Sequence, residues 1–216
     1  MLVTTVYTIV ISLVIATPIG ILAAVYLQEY AKQGRLVKVI RFATESLTGI
    51  PSIIYGLFGA VFFVATLKLG MSIIAASLTL TIIVLPVIIR TTEEALKTVP
   101  RTYREGSLAL GATKLQTLYK VILPSAMPGI LSGVILSMGR IVGESAAIFL
   151  TAGTVAAMPG SIFSSARTLT VHSYLVTQES GDIELAAAIG IILIVMILVL
   201  NVLATLLSKK FNKTNY

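Results

Sequence analysis

Between Glu184 and Lys209 the chain reads LAAAIGIILIVMILVLNVLATLLS, residues 185–208, without one charged side chain. At about 1.5 Å per residue such a helix is about 36 Å long, enough to cross the roughly 30 Å hydrocarbon layer of a bilayer. Working outward, the same test finds four more uncharged stretches: Met1–Gln28, Ser46–Leu67, Leu69–Ile89 and Val121–Gly139. Five membrane-spanning helices follow, so the expected fold is an all-α membrane protein, a helical bundle forming one domain over residues 1–216. Met1–Gln28 lacks the charged leader and small-residue cleavage pattern of a secretory signal and is read as a retained span.

The composition agrees. Of 216 residues, 56% are hydrophobic and 12% charged, whereas a soluble domain is roughly a quarter charged. A soluble enzyme, a disordered chain and a collagen are excluded. There is no Cys and a single His, which leaves no disulfide framework, thiolate metal site or zinc cluster. A net charge of +7 invites a nucleic-acid reading, but the positions of the charges oppose it. Lys32, Arg35, Lys38 and Arg41 lie between the first two spans. Arg90, Lys97, Arg101, Arg104, Lys114 and Lys120 lie between the third and fourth, and Lys209, Lys210 and Lys213 form the tail. A five-span chain puts all three groups on one side, which the positive-inside rule makes cytoplasmic, C-terminus included. Met1 then lies outside. An abrupt apolar start there leads to the expectation of a further native N-terminal span.

The cytoplasmic segment 91–120 is long for a connection, and long loops usually carry function. Thr92-Glu93-Glu94-Ala95-Leu96 reads as a capped helix start with acids in its first turn. Pro100 interrupts, helical spacing resumes at Tyr103–Leu110, and after Gly111 a second short helix is expected from Ala112 to Lys120. Helix, glycine turn, helix make an amphipathic knob suited to a cytoplasmic partner. Glu29–Arg41 reads as a short interfacial connection, and Ala152–Glu184 as an outer loop that dips back or caps the bundle. His172 there has no partner in recognisable spacing, and Arg167 is a candidate for touching a soluble binding protein.

Glu105-Gly106-Ser107, three residues, Gly111, nine residues, then Val121-x-Leu123-Pro124 resembles the EAA loop of ABC importer permeases, with Gly106, Ser107 and Val121 as small or conservative departures. Thr48-Gly49-Ile50-Pro51-Ser52-Ile53-Ile54-Tyr55-Gly56-Leu57-Phe58-Gly59, Glu94–Pro100 and Gly139-Arg140-Ile141-Val142-Gly143-Glu144-Ser145-Ala146 are similar to phosphate-importer permeases. Arg167–His172 is similar to the PstA type among them. The resemblance implies a MetI-like permease bundle in a prokaryotic inner membrane, with a cytoplasmic coupling helix pair. Glu105, Gly106, Ser107, Gly111, Leu123 and Pro124 would couple to an ATP-binding subunit (PstB-like). The other implied partners are a second permease (PstC-like) and an extracytoplasmic phosphate-binding protein (PstS-like), with membrane lipid around the bundle and neither cofactor nor nucleic acid. PstA-type permeases usually have six spans, which fits the expected missing helix.

Arg140 and Glu144 carry charge inside the membrane. Periodicity predicts one helix from Pro124 to about Thr151, placing both on one face at i, i+4, able to pair. Counted from Pro124, Arg140 is roughly 24 Å along it, and ionisable residues at such depth are normally functional. A guanidinium matches phosphate with paired donors, and Glu144 would orient it and limit its grip. Ser145 and Thr151 are weaker candidates for the path. Gly129-x-x-x-Gly133 and Gly139-x-x-x-Gly143 read as close-packing sites, Pro51 and Pro86 as kinks, and Met71, Met127, Met138 and Met158 as core.

No Gly-x-x-x-x-Gly-Lys-Ser/Thr occurs, so ATP hydrolysis belongs to another subunit and the chain is not itself an enzyme. A permease for molybdate, sulfate or phosphonate is the alternative within the class. A channel or carrier independent of ATP, or a phosphate-sensing membrane subunit, stands outside it.

Overall fold

The computed structural model describes the backbone of residues 1–213 and the side chains of residues 1–206; the side chains of Lys209, Lys210 and Lys213 lie outside that range. Helix α1, Leu2–Tyr30, is followed by α2, Arg35–Thr48, and α3, Ser52–Thr66. Then come α4, Ile73–Thr98, and the short α5, Arg101–Ala109. Helix α6 runs Lys114–Gly143, α7 Ala146–Ala152, α8 Leu169–Leu175 and α9 Ile183–Lys213. Among the described residues, α1, α4, α6 and α9 are long and apolar enough to cross a membrane, and α2 with α3 supplies a fifth only as a pair bent by 99°.

That bend corrects the single span expected over Ser46–Leu67. Pro51 forces the residue before it out of the helical region and has no N–H to continue the ladder. Accordingly α2 stops at Thr48 and α3 restarts with Pro51 as its N-cap. The Tyr55 hydroxyl donates to the freed carbonyl of Leu47 at 2.7 Å and fixes the corner. Pro86, by contrast, lies within an unbroken α4.

Helix α4 is the axis of the bundle, burying Ile73, Leu80, Ile83, Val84, Ile88 and Leu96. The amides at its start are bonded by carbonyls of α7 and of the loop after it: Ser72 N donates to Thr151 O at 2.9 Å, Ile73 N to Ser164 O at 3.2 Å and Ile74 N to Ile162 O at 2.9 Å. The segment after α7 thus caps this end of the bundle, and α8 follows it inward, with Thr168 and Val171 fully buried. Helix α1 runs parallel to α4: Ser12 Oγ donates to Ser77 O at 3.1 Å, and Gly20 lies against Ile88.

Helix α6 packs antiparallel on α4, with Gly129 facing Ala95 and Gly133 facing Thr91. A Cβ on Gly133 would collide with the Thr91 side chain, whose hydroxyl is held by the carbonyls of Val87 and Ile88. Gly133→Val should therefore cost about 2–3 kcal/mol, lowering the melting temperature by about 5–10 °C, as followed by a thermal-shift assay on the purified chain. At Gly139 and Gly143 an added Cβ meets nothing within 4 Å, so the second small-residue pair is not a packing site within this chain.

Two expectations for residues 91–120 are corrected. Helix α4 continues through Thr98, so Thr92 starts nothing; its acids serve ion pairs instead. Arg41 meets Glu93 at 3.0 Å, and Arg90 meets Glu94 at 3.1 Å and Glu45 at 3.2 Å. Nor is Ala112–Lys120 a separate helix. Thr113 and Gln116 form a capping box that opens α6, which continues to Gly143. A widened π turn at Leu118–Ile122 precedes Pro124, whose missing N–H leaves the normal ladder incomplete there. Met71 and Met158 are exposed rather than core residues.

Candidate functional site

Two groups of residues stand out at different levels of the bundle. At the end where α4 finishes, α5 is attached through Val99-Pro100 and buries none of its own residues. What holds it is Arg104, which donates from Nη1 to Glu29 Oε2 at 3.0 Å and from Nη2 to the Leu96 carbonyl at 3.0 Å, with Nη2 2.8 Å from Glu29 Oε1. Ser107 Oγ lies 2.9 Å from Thr117 Oγ1, tying α5 to the first turns of α6. Gly111 takes φ +84°, a left-handed conformation that a side chain disfavours, and so reverses the chain. Glu105, Gly106 and Gly111 are exposed, Leu123 and Pro124 half-buried. Leu110, at the turn, is 91% exposed, with Tyr103, Leu108, Leu115 and Tyr119 also open to the surroundings.

The second group sits at mid-depth. Arg140 is seven positions past Gly133, which faces Thr91, so it stands level with about residue 84 of α4, roughly 16 Å from the start of that helix. Neighbouring Ile141 shares a core cluster with Val84. Arg140 is half-buried and forms no ion pair among the described residues. The Tyr55 hydroxyl on α3 lies within Coulombic range of it.

Here the expected helix through Thr151 is corrected. Helix α6 ends at Gly143, Glu144 is extended (φ −78°, ψ 123°), and α7 begins at Ala146. Across that break the i, i+4 relation has no meaning, and Arg140 and Glu144 do not pair. The Glu144 carboxylate is buried and accepts from Ala147 N at 3.3 Å, satisfying an orphan donor of α7. Ser145 follows on the far side of the break and lines a cavity of about 230 Å³ with Ile53, Ala146, Phe149, Leu150 and Tyr174. Thr151 bonds back to Ala147 O at 2.6 Å, as hydroxyls in helices commonly do. Arg140 and Ser145 thus flank an interruption that Glu144 caps.

Tyr55, Arg104, Glu29 and the Arg41–Glu93 pair were not singled out from sequence. The partners of the ion pairs are 75 and 52 residues apart, beyond any local pattern. Tyr55 did lie within a quoted motif, and its place four residues after Pro51 was the available signal.

His172 lies on α8 with Nδ1 buried and without a hydrogen-bond partner, as is Arg167 Nε. Burial first, and the nearby Arg167 charge second, hold the imidazole below its ordinary value of 6.5. A histidine with a lowered folded-state pKa contributes stability that is complete above the unfolded value and is lost as pH falls through the folded one. The melting temperature should therefore drop as pH falls below about 6.5, and His172→Gln should remove a measurable part of that drop.

The residues 16–213 match the model of a family described as "Binding-protein-dependent transport system inner membrane component". A probable ABC transporter permease protein YqgI of Bacillus subtilis is 37% identical over 94% of this chain and 76% of its own length. Phosphate transport system permease protein PstA 1 of Mycobacterium tuberculosis H37Rv is 34% identical over 91% of the chain, and the PstA homolog of Mycoplasma pneumoniae 35% identical over all of it. This chain spans 65% and 35% of those two proteins' lengths. In shape it is similar to a chain of the inward-facing MetNI methionine ABC transporter, with TM-score 0.72 and 21% identity over 97% of this chain and 91% of that one. It is similar also to a chain of a bacterial alginate ABC transporter, with TM-score 0.74 and 17% identity over 98% of this chain and 78% of that one.

Proposed function

Because the chain belongs to the family of binding-protein-dependent transport system inner membrane components, we propose that it is a permease subunit of an ATP-driven phosphate importer. The observation that carries the reading is Arg140, a half-buried guanidinium at mid-depth with no ion-pair partner among the described residues. Leaving such a group uncompensated costs at least a few kcal/mol, and an anion passing the break between α6 and α7 offsets that cost. Its planar fork presents paired donors to two phosphate oxygens. Ser145 is the hydroxyl across the break. Glu144 caps α7 without pairing with the arginine, and as the nearby carboxylate it lowers the net local charge enough for release. The naming of phosphate in two similar permeases supports the choice among oxyanions.

The loop Glu105–Gly111, with Leu123 and Pro124 behind it, docks on a separate ATP-binding subunit that supplies the hydrolysis this chain has no P-loop to perform. A second permease completes the pathway, and an extracytoplasmic binding protein delivers the anion. The C-termini of α1 and α4 and the α5 loop then face the cytoplasm, as does the end of α9.

The test is phosphate uptake by proteoliposomes holding this permease in its native length, its co-permease, the ATPase and the binding protein. Uptake that requires ATP supports the reading. Uptake without ATP replaces it by a channel or carrier, and ATP-driven uptake of another oxyanion with none of phosphate overturns the substrate alone.

A further inference from the structure

Helix α2 has a face that nothing in the bundle covers. Around its circumference Val37 is buried and Ile40, Arg41, Thr44 and Thr48 are half-buried, and this side is fastened to α4 by Arg41 on Glu93 and by Glu45 on Arg90. The opposite side carries Leu36, Val39 and Phe42, which are 70%, 65% and 72% exposed, with Ala43 and Leu47 continuing the stripe. Lys32, Arg35 and Lys38 border it, all exposed and without ion-pair partners among the described residues. The helix meets the α3 segment at 99°, so with α3 entering the bilayer along its normal α2 lies in the bilayer plane. Tyr26 and Tyr30, just before it, are 59% and 49% exposed, at the place where aromatic side chains mark a membrane–water interface.

We propose that α2 is an in-plane anchor whose Leu36, Val39 and Phe42 bed into the headgroup–acyl boundary of an anionic phospholipid leaflet, with Lys32, Arg35 and Lys38 on lipid phosphates. A helix of balanced overall polarity with one apolar face and basic flanks partitions to that boundary. The flanking cations favour lipid over a protein occupant, because the buried centres of protein interfaces are depleted of charge while an anionic surface attracts each such cation. The ion pairs to α4 give the anchor a purpose: Arg41 and Arg90 connect a helix fixed to the surface with the helix that leads into α5. The inference takes only the sidedness of α2 from the proposed permease, and its test involves no transport.

The chain has no cysteine, so Val39→Cys accepts a single bimane label in the full chain assembled with its partner subunits in liposomes. A phosphatidylcholine carrying a nitroxide near the headgroup should quench it strongly. Aqueous iodide should quench it at least fivefold less than the free bimane–cysteine adduct in solution. Iodide quenching equal to that of the free adduct overturns the anchor, and so does protection from both quenchers with crosslinking of residue 39 to another subunit. The choice of anionic lipid is read separately, by the ratio of phosphatidylglycerol to phosphatidylcholine retained on purification from membranes containing both. Each basic residue near an anionic surface is worth about fivefold, so Lys32→Gln/Arg35→Gln/Lys38→Gln should reduce the enrichment at least tenfold. An unchanged ratio overturns the role of the three cations.

Discussion

Replacing Arg140 with leucine is expected to reduce ATP-driven phosphate uptake by at least a hundredfold while the permease still folds and assembles. Two charge-assisted hydrogen bonds to the anion are worth about 3 kcal/mol or more together, which is roughly 150-fold in the rate of a step that depends on them. Arg140 makes no ion pair among the described residues, so removing it breaks nothing that holds the bundle together. Losing a half-buried charge should leave the melting temperature unchanged or raise it. Arg140→Lys separates charge from shape: it keeps the cation but loses the fork, and an intermediate loss of about tenfold is expected. Uptake by Arg140→Leu equal to that of the unsubstituted protein would remove Arg140 from the pathway and leave the importer reading standing on the coupling loop.

The second large effect is expected at Leu110. An apolar side chain 91% exposed at a turn contributes nothing to the stability of this chain, and α5 buries none of its residues. Leu110→Asp should thus leave the melting temperature almost unchanged. Against a partner's groove the same substitution places a carboxylate in an apolar contact and costs about 2–4 kcal/mol, or roughly 30- to 1000-fold in affinity. Pull-down of the ATP-binding subunit by the tagged permease should fail, and ATP-driven uptake with it, while binding-protein docking on the opposite end persists. Retained pull-down at full strength would move the docking surface away from the Gly111 turn.

The membrane bundle was legible because lack of charge over twenty or so residues has few other physical causes, and α1, α4, α6 and α9 fall where the uncharged stretches lie. The turn at Gly111 was legible for a local reason, since a left-handed residue between two helical patterns selects glycine. What escaped was set by tertiary partners. Pro51 was visible, but whether a proline kinks a span or splits it depends on who takes the freed carbonyl, and that is Tyr55 on the next helix. The acids of Thr92–Leu96 looked like a helix start because their cations, Arg41 and Arg90, lie respectively on another helix and just before the pattern. The break at Glu144 has no proline to announce it. Glu144-Ser145-Ala146-Ala147 is a capping pattern set inside an apolar run, and the run outweighed the cap in the periodicity. For the candidate site this matters directly: residue types and depth were readable, but the pairing of Arg140 with Glu144 depended on a continuous helix that the chain does not make.

Helix α4 has one end stapled to α7 and the segment after it through three backbone hydrogen bonds and the other continuing into α5 across two residues. At about 1.5 Å per residue its 26 residues make a rod about 39 Å long. A tilt of about 5° at one end sweeps the other through about 3 Å, the width of a water molecule. A small rotation at the α5 end therefore shifts the stapled end by a molecular distance without any rearrangement inside the helix.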